Sequence, residues 1–310
     1  MKAKLSEVKT DPCVKVSEYL KFLINKGGPE PQDYEKFTSI INNLKPDEVD
    51  SFREEITCVL NENTLIGHGF VKPYGYPGDF TLIDKIYQFS FNEDITYKNW
   101  DLFFQNQPGA NAVRNRKDFF IEYCNKLVSE KKYAKVLILG SGPASDVYDF
   151  LSSQMGDNSI IFDLIDFDQA AIDFSMKKNE RFNGQVSYNR INALRFNSYK
   201  LYDLIWSAGL FDYFKDKHFT FLIRKYFNCL EDEGEMVISN FSTKNPTRRL
   251  MEVLSDWYLN LRTESDLYRI ASDAGIDKEL VSVEKEPLGI NLFLKIKKTK
   301  MQDCTGRSGK

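Results

Sequence analysis

From Lys135 onward, five short apolar runs alternate with segments long enough to form helices. The runs are KVLIL (135–139), IIFDLID (160–166), VSYNRI (186–191), YDLIWS (202–207) and GEMVISNF (234–241). Apolar strands separated by helix-length connections are typical of right-handed βαβ units. The pattern therefore predicts an α/β fold with a doubly wound, mainly parallel sheet.

Two further strand-like runs, LVSVEKE and NLFLKI, are joined by the short link PLGI. So short a link predicts an antiparallel hairpin that completes the sheet. The segment before it, NPTRRLMEVLSDWYLNLRTESDLYRIASDAG, has helical periodicity. We expect it to form one long helical insert.

The first part of the chain has a different pattern. Apolar residues recur at three- and four-residue spacing in VSEYLKFLI and DYEKFTSIINNLKPDEVDSFREEITCVL, which predicts helices. Prolines and glycines interrupt this pattern in HGFVKPYGYPGDF (68–80). We expect a helical cap or substrate region over 1–130 with a lid loop at 72–80, a ligand-binding domain over 131–298, and a flexible tail at 299–310.

Charge and composition exclude several kinds of partner. The 42 Lys and Arg nearly balance the 45 Asp and Glu, so no basic field favours nucleic acid. No apolar run approaches the roughly 20 residues of a membrane span, and we find no secretory signal. Five scattered cysteines indicate a reducing compartment, and the two histidines lack metal-ligand spacing. We expect a cytoplasmic protein without a metal, acting on a small molecule.

The N-terminal helices could cap the pocket or join two subunits, so the protein could be a homodimer.

The first run leads into LGSGPASD, a strand followed by Gly-x-Gly and a helix. This arrangement places backbone N–H groups beside a ligand. A dinucleotide fingerprint would need a third glycine where Ser145 stands, Asp146 would repel a pyrophosphate, and Pro143 has no N–H to donate. The loop therefore favours a ligand that approaches without phosphate. We assign to the cofactor Gly140, Ser141, Gly142 and Pro143.

The ends of the later runs add polar groups at the same predicted edge. Asp166 can accept both hydroxyl hydrogens of a ribose, and Asn192 can pair with an adenine edge or merely turn the chain. A lip of small residues ends the fourth run. The remaining cofactor assignments are Phe167, Ala193, Ser207, Ala208 and Gly209. The acids in these loops (Asp146, Asp166, Asp168 and Asp212) suit a sulfonium cation. The constellation fits S-adenosylmethionine better than NAD.

Several segments also carry a family resemblance, which spans roughly 68–296. They are KPYGYPGDF, IDKIY, GANAVRNRKDFF, LGSGPASDV, LIDFD, YDLIWSAGLFDYF, GEMVISNFS and NPTRRLMEVLSDWYLNLRTESDL. The sequence resembles the class I S-adenosylmethionine-dependent methyltransferases, and more narrowly the bacterial group typified by the enzyme proposed to make 3-hydroxypalmitic acid methyl ester. The resemblance implies a seven-stranded Rossmann-like sheet that ends in an antiparallel strand. The loop reads GSGP where the group often has ACGH, and the helices before His68 do not match.

Methyl transfer needs alignment and exclusion of water. A carboxylate acceptor is already ionised and needs no general base, but it needs a group to orient it. Arg114, Arg116 and Arg262 are candidates because a guanidinium binds a carboxylate through two hydrogen bonds. One of them could bind the carboxylate of S-adenosylmethionine instead, or each could form ordinary surface ion pairs.

Aromatic and polar residues outside the glycine loop complete the predicted site. Tyr74, Tyr76 and Asp79 lie in the lid loop, and Tyr213 follows the fourth run, where it could position an acceptor oxygen. Asn240 and Trp257 could line the acceptor pocket. The two histidines, His68 and His218, are expected to be structural. As catalytic we select Tyr76, Tyr213, Arg114 and Arg116; as substrate-binding, Tyr74, Asp79, Asn240, Trp257 and Arg262.

We expect an enzyme that methylates the carboxylate of a fatty or hydroxy acid to a methyl ester. The alternative is N- or O-methylation of an amine or hydroxyl in a secondary metabolite. A catalytically silent nucleotide-sensing or partner-binding module on the same fold is a third hypothesis.

Overall fold

The computed structural model describes residues 12–154 and 160–300. Its helices are α1 (Pro12–Asn25), α2 (Tyr34–Asn43), α3 (Val49–Glu55), α4 (Leu65–Val71), α5 (Phe80–Tyr87), α6 (Lys98–Gln105), α7 (Pro108–Glu130), α8 (Ser145–Ser153), α9 (Gln169–Lys178), α10 (Asp216–Phe227), α11 (Arg248–Ser255) and α12 (Glu264–Asp273). Its strands are β1 (Ala134–Leu139), β2 (Ile160–Asp166), β3 (Val186–Arg190), β4 (Tyr202–Ser207), β5 (Leu230–Phe241), β6 (Val281–Lys285) and β7 (Asn291–Lys297). Among the described residues no helix is long and apolar enough to cross a membrane.

The chain forms two compact units that do not follow a single boundary at residue 130. The described part of the first unit comprises 12–82, 89–107 and 247–258; that of the second comprises 83–88, 108–154, 160–246 and 259–300. Helix α7 therefore belongs with the sheet, although we expected it in the N-terminal region. The segment 247–258 belongs with the N-terminal helices instead. The predicted tail beyond 300 lies outside the described residues.

The second unit contains one seven-stranded sheet in the order β3-β2-β1-β4-β5-β7-β6. Strands β1 to β5 pair in parallel, and β7 pairs antiparallel with both β5 and β6. The predicted doubly wound sheet and the terminal antiparallel hairpin are confirmed.

Both faces of the sheet are buried, which explains why its strands are continuous apolar runs. Val136 and Ile138 of β1 pack in one apolar cluster with Phe120 of α7, whereas Leu137 and Leu139 pack on the opposite face with residues of α10 and α12. Helices therefore cover both faces, and ligands of such sheets bind at the carboxyl ends of the strands.

The predicted long helical insert is wrong. Helix α11 ends at Ser255 because Asp256 adopts a left-handed conformation with φ 48°, and residues 256–263 are not helical. A new helix, α12, begins after Thr263. Its Oγ1 accepts the Asp266 N–H at 3.1 Å, while Asp266 Oδ2 accepts the Thr263 N–H at 2.9 Å. This reciprocal cap fixes the start of α12.

The first unit is built on an aromatic core. The ring of Phe37 contacts those of Phe52, Trp100 and Phe103. Arg53 of α3 donates to the Val253 carbonyl at 2.8 Å and to the Glu252 carbonyl at 3.0 Å. These carbonyls lie in the last turn of α11, where helix carbonyls lack partners within the helix. The arginine therefore holds the segment 247–258 in the first unit.

We expect Thr263→Ala to lower the free energy of unfolding by about 1 kcal/mol, because it leaves the Asp266 N–H without its side-chain acceptor. Urea denaturation followed by circular dichroism measures the change. Thr263→Ser keeps the hydroxyl and serves as the matched control. Equal stability of the alanine and serine variants would show that the cap contributes nothing.

Candidate functional site

The glycine loop is hydrogen-bonded to the end of β2. The backbone N–H groups of Gly140 and Ser141 both donate to the Ile165 carbonyl, at 2.9 and 3.1 Å. The Gly142 N–H donates to Asp166 Oδ2 at 2.9 Å. Since Pro143 has no N–H, four successive residues of the loop offer no free backbone donor to a phosphate. This geometry supports the preference for a ligand without phosphate at this position.

Two glycines of the loop have backbone conformations that favour glycine, with φ 67° at Gly140 and 52° at Gly142. A Cβ atom at position 140 would lie 3.0 Å from the Cβ of Leu210. At position 142 a Cβ would meet no described atom within 4 Å. The loop is therefore packed on one side at Gly140 and open at Gly142, and Gly142 is where a ligand can approach the backbone.

Asp166 lies at the end of β2, as predicted, with 7% of its surface exposed. Its two oxygens accept the N–H groups of Gly142 and of Asp168, the latter at 3.0 Å. Burial raises the pKa of this carboxyl, while these backbone donors act in the opposite direction. The donors fix the carboxylate plane, which leaves its remaining lone pairs for a hydroxyl-bearing ligand.

The other predicted cofactor residues divide into exposed and structural groups. Phe167 exposes 56% of its surface beside Asp166. Asn192 is exposed, but its Oδ1 accepts the Leu194 N–H at 2.8 Å, so it does turn the chain. Ala193 is buried in the core. The Ser207 hydroxyl donates to the Leu139 carbonyl at 2.8 Å and ties β4 to β1, so this side chain supports the edge rather than facing a ligand.

Arg116 of α7 is the most unusual residue at this edge. Only 3% of it is exposed, and its one hydrogen bond to a described residue runs from Nε to the Tyr87 hydroxyl at 3.3 Å. Its terminal nitrogens lie against Gly209: a Cβ there would be 3.0 Å from Nη1 and 3.3 Å from Nη2. Within residues 12–154 and 160–300, no carboxylate forms an ion pair with it. A buried guanidinium normally has its N–H groups paired.

Two buried carboxyls act electrostatically on the same guanidinium, and we call Asp146, Arg116 and Asp212 the acid–arginine cluster. Asp212 Oδ1 accepts the Phe241 N–H at 2.7 Å, whereas its buried Oδ2 has no hydrogen-bond partner among the described residues. The buried hydroxyl of Ser141 also lacks a described partner. Burial raises the pKa of Asp146 and that of Asp212 to about 6. Buried polar atoms without a described partner, beside carboxyls of raised pKa, make this cluster a candidate ligand site.

Part of this cluster is not predicted from the sequence. The sequence indicates Asp146 as a group that would repel a pyrophosphate and, with Asp212, as part of an acidic bias, but it assigns no ligand contact to either carboxyl or to Tyr87. The segment IDKIY, which contains Tyr87, was one carrier of the family resemblance and was the available signal.

Arg262 and Asn240 form a closed structural network instead of a substrate clamp. Arg262 Nη1 donates to Asn240 Oδ1 at 2.6 Å, and Nη2 donates to the Phe214 carbonyl at 2.6 Å and to Asp216 at 2.9 Å. Nε also donates to Asp216, at 3.1 Å, and Nη1 to the Phe211 carbonyl at 3.3 Å. All five N–H groups of the guanidinium are used. This geometry argues against the predicted substrate-binding role of both residues, because no donor remains for an acceptor carboxylate.

Arg114 lies on a different side of α7 from Arg116, since two residues correspond to about 200° of helix rotation. Its Nη2 donates to Asn111 Oδ1 and its Nη1 to the Ile86 carbonyl at 3.3 Å. The structure does not bring the two predicted arginines together. Tyr213 is 39% exposed in a 3-10 turn after β4 (Phe211–Tyr213).

The remaining predicted residues belong to the first unit. Asp79 is fully buried and accepts from His68 Nε2 at 2.7 Å, from the Thr81 hydroxyl at 2.6 Å and from the Leu82 N–H at 3.0 Å. Burial opposes ionisation of Asp79, but these donors lower its pKa. The carboxylate thus caps the start of α5, which argues against substrate binding, and His68 serves as its structural partner.

Three aromatic residues of this unit differ in exposure. Tyr74 is exposed and packs on Phe80 with 4.5 Å between ring centroids, and Tyr76 is half-buried. The indole of Trp257 packs against Gly78 so closely that a Cβ there would lie 2.3 Å from it. The roles assigned to these three residues toward an acceptor stay predictions.

No group of three or more His, Cys, Asp or Glu side chains within 12–154 and 160–300 is arranged to hold a metal ion.

The raised pKa of Asp212 predicts a pH dependence of stability. An unfolded Asp has a pKa of about 4, so between about 4 and 6 the folded protein binds more protons than the unfolded chain, and stability falls as the pH rises. Asp212→Asn should remove this contribution, up to roughly 3 kcal/mol, and flatten the profile. Urea denaturation of both proteins at several pH values measures the difference. Parallel profiles would contradict the assignment.

No protein-family model and no curated protein sequence matches this chain. A crystal structure of a possible exported protein from Bordetella parapertussis has a TM-score of 0.63 and 14% identity, covering 94% of this chain and 100% of that one.

Two methyltransferases are among the other similar structures. Magnesium protoporphyrin IX methyltransferase from Synechocystis, crystallised with S-adenosylhomocysteine, has a TM-score of 0.48 and 11% identity over 62% of this chain and 88% of that one. A putative O-methyltransferase from Nostoc punctiforme has a TM-score of 0.47 and 17% identity over 57% and 55%. At such identities the similarity concerns the fold alone. The strand order, with β1 to β5 parallel and β7 antiparallel, is that of a Rossmann-like α/β sheet.

Proposed function

We propose that this protein is an S-adenosylmethionine-dependent methyltransferase that acts on a small molecule. The observation that carries the proposal is the acid–arginine cluster: a buried guanidinium that forms no ion pair with any described carboxylate, and two buried carboxyls, in the same unit as an open glycine loop. Buried groups of both signs with hydrogen-bonding atoms not used by described residues, such as Asp212 Oδ2, are suited to a ligand that bears both charges.

The amino-acid end of S-adenosylmethionine has these charges. Its α-carboxylate can accept from the terminal nitrogens of Arg116 in two parallel hydrogen bonds. Its α-ammonium can donate to the carboxyls of Asp146 and Asp212, including the unpartnered Oδ2 of Asp212. Gly209 allows the guanidinium to lie directly against the backbone after β4. The Tyr87 hydroxyl accepts from Arg116 Nε and thereby orients the guanidinium.

The adenosyl part can be assigned to the other loops. Asp166, fixed by two backbone donors, would accept the ribose hydroxyls. Phe167 would offer its exposed ring and Asn192 its amide to the adenine. A pyrophosphate cofactor is disfavoured because the N–H groups of Gly140, Ser141 and Gly142 are already used within the protein.

When bound, S-adenosylmethionine supplies an electrophilic methyl group on its sulfonium. The protein then needs to align the acceptor and exclude water, and alignment alone can lower the barrier by about 7–11 kcal/mol at best. We assign the positioning of an acceptor oxygen to Tyr213, which is 39% exposed after β4.

We propose a carboxylic acid of the fatty or hydroxy acid type as the acceptor, because it is ionised at neutral pH and needs no base. The second candidate is an amine or hydroxyl acceptor. The complete internal pairing of Arg262 favours this second reading, since it removes one expected carboxylate clamp.

Arg116→Gln should weaken binding of S-adenosylhomocysteine by at least about tenfold, because a charge-assisted bidentate contact is lost. Arg181→Gln makes the same chemical change at an exposed position of the second unit and is the matched control, which should bind like the wild type. Isothermal titration calorimetry measures both, with circular dichroism to verify folding. Equal weakening by the two substitutions would refute the assignment of Arg116.

Incubation of a cell extract with the protein and methyl-labelled S-adenosylmethionine should transfer label to a small molecule detected by mass spectrometry. Methyl esters lose the label in mild base, whereas N-methyl and ether products keep it, so alkaline treatment separates the two acceptor classes. A heat-denatured protein sample is the control. Tight cofactor binding without any labelled product would favour a catalytically silent sensor.

A further inference from the structure

The acid–arginine cluster has an odd number of charges when all its members are ionised. Two carboxylates and one guanidinium sum to −1, whereas one added proton makes the cluster neutral. Burial favours the neutral state because a charge loses its hydration there. The buried Oδ2 of Asp212 has no hydrogen donor among the described residues, so its ionised form is poorly supported in the free protein.

Other charged groups around the cluster do not change its net charge. Asp146 interacts with Arg116 and Cys124 from α7 and with Asp149 of its own helix. Asp149 is paired with Lys117 at 2.7 Å. Burial raises the pKa of the Cys124 thiol, which keeps it protonated near neutral pH.

The second carboxyl has a similar environment. Asp212 interacts with Arg116 from α7 and with Arg262 from the segment before α12, and Arg262 is itself paired with Asp216. Burial also raises the pKa of Tyr87 from α5, which lies beside Arg116. The two carboxyls, each with a pKa of about 6, are therefore the groups of the cluster that titrate in the physiological range.

The proposed cofactor and its product differ in charge and hardly in shape. S-adenosylmethionine carries a carboxylate, an ammonium and a sulfonium, which sum to +1. S-adenosylhomocysteine has a neutral thioether and sums to zero. A cluster of charge −1 matches the first ligand, and a neutral cluster matches the second.

Resting on the function proposed above, we propose that binding of S-adenosylmethionine displaces one proton from the acid–arginine cluster, whereas S-adenosylhomocysteine displaces fewer. The O–H bond of one carboxyl breaks and the proton passes to solvent. The cluster thereby distinguishes substrate from product by charge. The preference for S-adenosylmethionine is greatest at neutral pH and is lost in acid, where its affinity falls by up to about tenfold per pH unit.

Calorimetric titration of the full chain with each ligand tests this inference. At one pH near 6, two buffers of different ionisation enthalpy, phosphate and imidazole, report the number of protons released. We expect a release approaching one proton for S-adenosylmethionine and distinctly fewer for S-adenosylhomocysteine. Buffer-independent enthalpies, or equal release with both ligands, would overturn the inference while leaving the cofactor assignment intact. Absence of binding by either ligand would overturn the proposed function itself.

Substitutions of the two carboxyls identify the group that releases the proton. Asp212→Asn keeps the oxygen that accepts the Phe241 N–H and should reduce the release caused by S-adenosylmethionine. Asp146→Asn provides a second variant if the first fails to fold. Glu122→Gln makes the same chemical change at an exposed position of α7 and should leave the release unchanged. Unchanged release in both aspartate variants would show that the proton comes from elsewhere.

Discussion

The parallel pairing of β1 with β2 and β4 is the constraint on which the candidate site depends. Leu139 pairs with Ile165 and Ile138 with Trp206, so the three strands end at one level of the sheet. The loops that follow can then bond to their neighbours, as Gly140 does to Ile165 and Ser207 to Leu139. A slip of one residue would turn every side chain of a strand to the opposite face, and Asp166 would no longer meet Gly142.

Two arginines of the second unit show how hydrogen bonding separates structure from binding. Arg116 and Arg262 are equally buried, at 3% exposure each. Arg262 uses all five of its N–H donors within the protein, while Arg116 donates one hydrogen bond to the part of the chain that the structure describes. Leaving a buried charge incompletely paired costs several kcal/mol, on the order of 3–5. Such a cost is commonly found where a ligand supplies the missing partners, and ligand binding then also stabilises the fold.

Much of the fold could be predicted because its signals are local. The apolar runs 160–166 and 202–207 coincide with β2 and β4, and the short link PLGI predicted the hairpin. The position of Asp166 at the end of its strand could also be predicted from the sequence alone.

The site was less predictable, because the partners of Arg262 and Asp79 are set by tertiary packing. Asn240 and Asp216 lie 22 and 46 residues from Arg262, and no short motif announces such contacts. The end of helix α11 before Asp256 could not be predicted either, because the left-handed conformation of that residue is set by the folded chain.

Each of the two units is made of segments from separate parts of the sequence, and this arrangement limits how the protein can be cut into fragments. A cut at residue 130 would remove α7, and Arg116 with it, from the sheet to which it belongs. The N-terminal piece would in turn lack 247–258, whose carbonyls Arg53 caps. Neither fragment would then contain all the segments of its compact unit, so fragments are better designed from the segments of each unit than from a single cut in the sequence.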